Sequence, residues 1–340
     1  MKYSQMKRFL MEHKDSMKPP YISTLDGILT AGGELIGYQE LEMDSPYLDV
    51  HEDTSYTKDY VTLHSHEFYE LLFCRSGNLQ YLIGNTRYQI RKNDIILVPP
   101  GTSHRPLFLE QLREPYQRTV LWINNDFFET CKQNFFADTG SSQYAPQKQL
   151  PYVIRPEGTL LNQIDQLLAA LLYEGSTMRL GSELYRMGLF LQLFCLFYRM
   201  NDHPQSDIPK PENTGLLDQI LNYIELHLSE DLSLASISAQ FMVSQSTVSQ
   251  LFKKQLDTGF YKIVTQRRLI ESKNLINSGF PLKEVAEQCG FCDYSVFYQA
   301  FMKEYGISPR SFRTREKETY DFSIIRGLPY GSPLLCKFYA

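Results

Sequence analysis

The chain has 340 residues, 43% of them hydrophobic, and a formal net charge of −5. Length and apolar content suffice for two packed domains and exclude a disordered chain. No apolar run reaches the roughly 18 residues of a membrane span, and the opening MKYSQMKRFLMEHKDSMKPP lacks the apolar core of a secretory signal, so a cytoplasmic protein with no membrane partner is expected.

The six cysteines, Cys74, Cys131, Cys195, Cys289, Cys292 and Cys336, are scattered. Only Cys289 and Cys292 form a CxxC. Zinc would want a second pair or nearby histidines, and neither follows, so reduced thiols at a helix end and in a turn are expected.

From roughly Glu34 to Ile123 the chain reads as β. Short apolar runs at Tyr69–Cys74, Leu79–Ile83, Tyr88–Ile90 and Asp94–Val98 are separated by Ser76-Gly77-Asn78, Gly84-Asn85 and Lys92-Asn93. Gly84-Asn85 predicts a tight hairpin, and Thr119–Ile123 (TVLWI) a further buried strand. Many short strands at this spacing argue for a sandwich or barrel.

Two runs in this region carry chemistry. HSHEFYE holds His64, His66 and Glu70 ahead of Gly77, and PPGTSH holds Gly101 and His104. Imidazoles and a carboxylate on one strand face suit a divalent Fe, Mn, Ni or Zn. Equally, the four groups can line a ligand cavity, pair with one another, or hydrogen-bond a hydroxylated ligand such as a sugar. Tyr81 and Trp122 are candidate stacking walls, as are Tyr69, Phe73 and Tyr88. Nothing in the sequence makes a cofactor obligatory. The spacings H-x-H-x3-E-x6-G and P-x-G-x2-H resemble the two cupin motifs. The second match is partial, because Phe108 stands where that motif has Asn. The resemblance implies a cupin-like barrel, in whose enzyme members His64, His66, Glu70 and His104 would hold a metal.

Helical periodicity follows. Glu157–Glu174 spaces Leu160, Leu161, Ile164, Leu167, Leu168 and Leu171 on one face, and Leu184–Met200 is apolar nearly all round. Such a helix must be covered, by the barrel or by a second copy of the chain. Residues 201–214 (NDHPQSDIPKPENT) have three prolines and no periodicity, which predicts a linker between residues 1–200 and 215–316.

The second half opens with an amphipathic helix, Leu216–Leu228, with Leu217, Ile220, Leu221 and Ile224 on one face. Ser233 is placed to cap Leu234–Phe241. After the turn Met242-Val243-Ser244, Ser244 is placed to cap Gln245–Gln255. Val248, Leu251 and Phe252 point inward there, leaving Ser246, Thr247, Ser249, Gln250, Lys253 and Lys254 outside. The plan repeats: Leu282, Val285 and Ala286 form an inner face, Gly290 a tight end, and Asp293 a cap. Phe297 and Phe301 then face inward, with Tyr294, Ser295, Val296, Tyr298, Gln299 and Lys303 outside. Tyr261–Ser278, containing Arg267, Arg268 and Lys273, connects the units. Eighteen helical residues span about 27 Å, comparable to the roughly 34 Å between successive major-groove faces. Two helix-turn-helix units on one connector read as a DNA-binding module. Residues 214–316 balance 11 Lys+Arg against 11 Asp+Glu, so only moderate non-specific DNA affinity is expected.

LSLASISAQFMVSQSTVSQLFKK, RRLIESKNLI and EVAEQCGFCDYSVFYQAFMKEYGISPRSFR resemble an AraC/XylS-family DNA-binding domain. The resemblance implies a two-domain protein: an N-terminal cupin-like β-barrel plus helices, and a C-terminal all-α double helix-turn-helix. It places base-facing positions on Ser246, Ser249, Gln250, Ser295, Val296 and Gln299. Gln299 and Met302 stand where many members carry Arg or Lys, so the second reader is expected to add less affinity. It further implies a sequence-specific regulator, generally an activator, responding to a small molecule. Its partners would be double-stranded promoter DNA, the effector, RNA polymerase and a second copy of the chain. The competing reading is a metal-dependent cupin enzyme with an appended DNA-binding module. The tail 317–340 has no pattern that assigns a role.

Overall fold

The computed structural model describes residues 42–55, 61–109, 112–137, 150–177, 179–202 and 215–314, plus a short strand pair, β1 (Ile28–Leu29) with β2 (Leu35–Ile36). Residues 203–214 of the expected linker, and the tail 317–340, lie outside the described residues.

The N-terminal half is built on eight further strands: β3 (Leu48–Ser55), β4 (Tyr69–Ser76), β5 (Leu79–Ile83), β6 (Thr86–Ile90), β7 (Ile95–Val98), β8 (His104–Leu107), β9 (Tyr116–Ile123) and β10 (Val153–Ile154). An antiparallel sheet of order β10-β7-β4-β9-β3 faces a smaller one of order β6-β5-β8. Their inner faces share one core, with Leu72, Val120 and Trp122 from one sheet against Leu79, Tyr81 and Ile83 from the other. This is the expected cupin-like barrel. The predicted hairpin is present: Ile83 pairs with Thr86 across Gly84-Asn85, and Gly84 has φ +56°.

The apolar run in β7 is unbroken because both its faces are covered. Ile96 and Val98 point into the barrel, whereas Ile95 and Leu97 face a layer of helices. The same alternation corrects two expected stacking walls. Phe73 points out to the helical layer, and Tyr69 stacks on Phe128 at 3.9 Å and donates to Glu129, so neither lines the barrel.

The helical layer comprises α1 (Asn125–Ala137), α2 (Gly158–Thr177) and α3 (Ser182–Asp202). Sequence periodicity predicts α2 and α3 but not α1. That helix starts where the Asn124 side chain accepts the Phe127 N–H at 3.1 Å, and it is held by burial of Phe127, Phe128 and Cys131. Phe190, Leu193, Phe194 and Phe197 of α3 enter the same core, while Leu184 and Tyr185 stay exposed. Strand β3 lies in the stretch read as β but is not among the runs that stand out in it. LDVHEDTS carries acidic residues of low strand propensity, and its eight-residue register against β9, from Leu48↔Ile123 to Ser55↔Tyr116, makes it a strand.

The C-terminal half is all helix: α4 (Leu216–Leu226), α5 (Leu234–Phe241), α6 (Gln245–Leu256), α7 (Phe260–Asn277), α8 (Leu282–Gln288), α9 (Tyr294–Tyr305) and α10 (Pro309–Thr314). Leu217, Ile220, Leu221 and Ile224 of α4 are fully buried with Val248 and Phe252 of α6. Val285, Ala286, Cys289, Phe297, Phe301 and Phe312 form the core of the second unit. Cys289 ends α8 in that core, and Cys292 is exposed in the turn before α9. Gly290, at φ +73°, admits no side chain: a Cβ would sit 2.2 Å from the Leu228 carbonyl. Arg268 of α7 donates to the Leu228 and Glu230 carbonyls beside it, tying connector to first unit. Among the described residues, no helix is long and apolar enough to cross a membrane.

Candidate nucleic-acid interface and effector site

Local capping sets where each reader begins. Ser233 accepts the Ser236 N–H at 3.1 Å, Ser244 the Thr247 N–H at 3.0 Å, and Asp293 the Val296 N–H at 2.9 Å. Each satisfies a donor that a helix start leaves open. Met242 adopts a left-handed conformation, φ 52°, closing the turn between α5 and α6.

With the starts fixed, helical periodicity decides what each reader presents. On α6, Val248 and Phe252 are buried and Leu251 is half-buried, while Ser246, Thr247, Ser249, Gln250, Lys253 and Lys254 are exposed. On α9, Phe297 and Phe301 are buried, while Tyr294, Ser295, Val296, Tyr298, Gln299 and Lys303 are exposed. Glutamine pairs with adenine through its amide, and lysine neutralises phosphate. Lys253 meets Asp257 at 3.1 Å, an exposed pair that a phosphate can displace. Met302 is half-buried on the flank of α9.

Inside the barrel, His66, Glu70 and His104 gather, with ligand atoms all within 4.8 Å of one another. Glu70 is the hub. Trp122 donates its indole N–H to Oε1 at 2.9 Å, and His104 Nε2 lies 3.1 Å and His66 Nε2 3.5 Å from Oε2. Trp122, buried in the barrel core, therefore orients the carboxylate. The Tyr81 ring lies parallel to His104 at 6.4 Å. His64 stands beside the group, its ring 4.2 Å from that of His104, but its Nδ1 bonds the Thr62 carbonyl and it is outside the three-residue cluster. His64 and His66 were expected on a strand; the structure gives a single bridge, His64 to His104, in an otherwise irregular segment.

Burial opposes ionisation of Glu70, but the hydrogen bond with His104 and the close approach of His66 overcome it and hold the carboxyl well below its usual range. Burial, reinforced by the nearness of His104, pushes His64 well below the ordinary imidazole range; burial also lowers His66 despite the Glu70 carboxylate 3.5 Å away. The site thus offers an ionised carboxylate beside the His64 and His66 imidazoles, which burial holds toward the neutral form. That donor set fits a divalent cation, to be held by His66, Glu70 and His104, and it fits hydroxyl groups, which need acceptors and donors together.

The structure also shows residues that sequence reasoning missed. Leu82 pairs with Arg87 on one side and Arg105 on the other, making a stripe across β6, β5 and β8 on the outer face of the small sheet. This stripe meets the reader domain. Arg87 bonds Asp218 of α4 and Gln255 of α6, Arg105 bonds the Leu256 carbonyl, and Leu63, Leu82 and Leu107 join the core of α4 and α6. From α7, Arg267 donates to the Gly84 carbonyl and Asn85, and Lys273 to the Ser65 carbonyl. Arg267 and Lys273 are therefore buried domain-docking groups. The available signal was Leu82, apolar on a face where its neighbours Gln80 and Gln89 are polar.

A sensor barrel fastened to a pair of exposed DNA readers defines a class: a ligand-responsive, DNA-binding regulator. A family model for an AraC-like ligand binding domain matches residues 45–194, and one for a helix-turn-helix domain matches residues 237–315. The chain belongs to the AraC family of transcriptional regulators. It is 26% identical over 254 residues to the HTH-type transcriptional activator RhaS of Salmonella schwarzengrund (strain CVM19633), covering 74% of this chain and 86% of that one. The C-terminal domain of AraT, a response regulator from Geobacillus stearothermophilus, is 30% identical over 32% of this chain and 93% of its own, with TM-score 0.30. Fatty-acid-bound ToxT from Vibrio cholerae strain SCE256 is 16% identical over 79% of this chain and 95% of its own, with TM-score 0.36.

Proposed function

We propose that this chain is a cytoplasmic, non-enzymatic activator that binds promoter DNA through α6 and α9 when a small hydroxylated molecule of sugar type occupies the barrel. One observation carries the reading: every side chain assigned to DNA contact on both readers is exposed while the reader domain is docked on the barrel. Gln250, Ser246 and Ser249 read bases from α6, and Ser295, Val296 and Gln299 from α9. Thr247, Lys253, Lys254, Tyr294 and Lys303 position the backbone. In the barrel, Glu70, His66, His104 and His64 supply hydrogen bonds to hydroxyls, and Tyr81 and Trp122 supply flat apolar walls. The domain boundary falls in the linker expected at residues 201–214, of which 201 and 202 close α3. Leu184 and Tyr185 of α3, exposed beside Tyr173 and Leu180, support a homodimer through this layer, with RNA polymerase as the further partner of an activator.

The test is a mobility shift on the upstream region of the chain's own operon, with a panel of sugars and a salt series. Sequence-preferring binding that one sugar strengthens is expected. Binding absent even at low salt, or indifferent to sequence, refutes the reading. The compact His66, Glu70 and His104 donor set favours a second reading, a metal-dependent cupin enzyme with an appended reader. Stoichiometric metal in purified protein together with turnover of a small substrate would establish it.

A further inference from the structure

Lys273 stands where three parts of the molecule meet. Its ammonium is buried, with the residue only 3% exposed, and donates to the Ser65 carbonyl at 3.0 Å. Ser65 separates His64 from His66. The same ammonium lies 5.2 Å from the Tyr305 ring and 6.0 Å from the Phe312 ring. Tyr305 ends the recognition helix α9, Phe312 sits in α10, and both belong to the core of the second reader. The histidine segment touches α7 at further points. Asn277 donates to Glu67. Gly101, whose N–H donates to the His66 carbonyl at 2.9 Å, approaches Asn274 so closely that a Cβ would lie 2.9 Å from its Oδ1.

A buried ammonium cannot turn to water, so the loss of one partner is felt by the others. A carbonyl attracts it through a charge-assisted hydrogen bond, and the two rings through their π faces. Withdrawing the Ser65 carbonyl would leave the ammonium to the rings and its other neighbours. The position of the 64–66 backbone and the seating of α9 and α10 therefore share one energy, and coupling of this kind runs equally in both directions.

We propose that Lys273 is a positioning residue that couples the histidine cluster to the second DNA reader. A shift of the 64–66 backbone when the barrel is filled passes through its ammonium to α9 and α10. The proposal rests on the barrel being the effector site, and it assigns that site a route to DNA.

Hydrogen–deuterium exchange on the full chain tests it without any effector, using wild type, His66→Gln, Lys273→Met, Lys273→Arg and the double variant His66→Gln/Lys273→Met. His66→Gln is expected to speed exchange in residues 301–312 about tenfold, the scale of one charge-assisted hydrogen bond. In the Lys273→Met background the same change should produce no further response, and Lys273→Arg should restore it in part. Amides of α2 and α3 belong to a core that contains none of the junction residues, and they report whether the fold is intact. Should Lys273→Met loosen them too, Lys273→Gln replaces it in the cycle. A 301–312 segment that ignores His66→Gln, or responds equally with and without Lys273, overturns the proposal. Failure of the effector reading looks different: exchange stays coupled while no small molecule alters the promoter mobility shift.

Discussion

Arg87 on a barrel strand and Asp218 in the first turn of α4 are joined by two parallel hydrogen bonds of 2.9 Å each, with side chains 9% and 2% exposed. The pair lies across the interface between sensor and reader. Removing one member of such a pair strands a buried charge, at a cost of roughly 3–5 kcal/mol, whereas replacing both with apolar groups is often near neutral. Arg87→Met alone is therefore expected to lower the urea midpoint clearly. Arg87→Met/Asp218→Leu should recover most of that loss, short of the bond Asp218 makes to the Gly215 N–H. Losses that simply add in the double variant would show that Arg87 and Asp218 do not act as a pair.

The readers make separable predictions. Gln250→Ala should cost about 1–3 kcal/mol on the cognate operator and relax the base preference at one position. Lys254→Ala should weaken binding to all sequences alike and reduce the salt slope by about 1. Mobility shifts on cognate and scrambled duplexes at several salt concentrations distinguish the two. A uniform effect of Gln250→Ala would move that residue from the bases to the backbone.

Trp122→Phe keeps the aromatic wall but removes the donor to Glu70 Oε1. One buried acceptor then loses a partner, for about 1–3 kcal/mol. The expected phenotype is a weaker effector response with operator affinity retained, read as the ratio of binding with and without sugar. Chelation followed by elemental assay runs beside it. An effector response that survives metal removal is expected for the hydroxyl-binding cluster; its loss would make His66, Glu70 and His104 a metal centre.

Asp49 provides a pH signature. Burial raises its carboxyl from 3.8 to about 6, only partly offset by N–H donors from Asp44 and Ser45. The folded chain therefore keeps a proton that the unfolded chain releases. Stability from this group is greatest below pH 3.8, falls as pH rises through the window to about 6, and stays reduced above it. The span is at most about 3 kcal/mol. Glu70 has the opposite sign, losing its contribution as pH falls through the usual carboxylate range, and being common to both proteins it cancels in their difference. The difference in Tm between wild type and Asp49→Asn should change across pH 4 to 6 and be flat above pH 7. A constant difference would remove Asp49 as its cause.

Much of this chain was legible from local chemistry. The caps Ser233, Ser244 and Asp293, the left-handed Gly290 and the inward-facing Val248, Phe252, Phe297 and Phe301 follow from periodicity and helix-end hydrogen bonding. Those rules act over three or four residues, so the exposed face of each reader was determined by the sequence alone. The Gly84-Asn85 hairpin and the apolar strands were readable for the same reason. What only the tertiary structure decided depends on partners distant in the chain. Strand β3 exists through its register with β9. Glu70 is oriented by Trp122, 52 positions away. Arg87, Arg267 and Lys273 are buried docking groups because a second domain covers them, 131 to 208 positions away in sequence. A charged side chain looks the same in sequence whether it meets water or another domain; only the fold brings its counterpart within hydrogen-bonding distance.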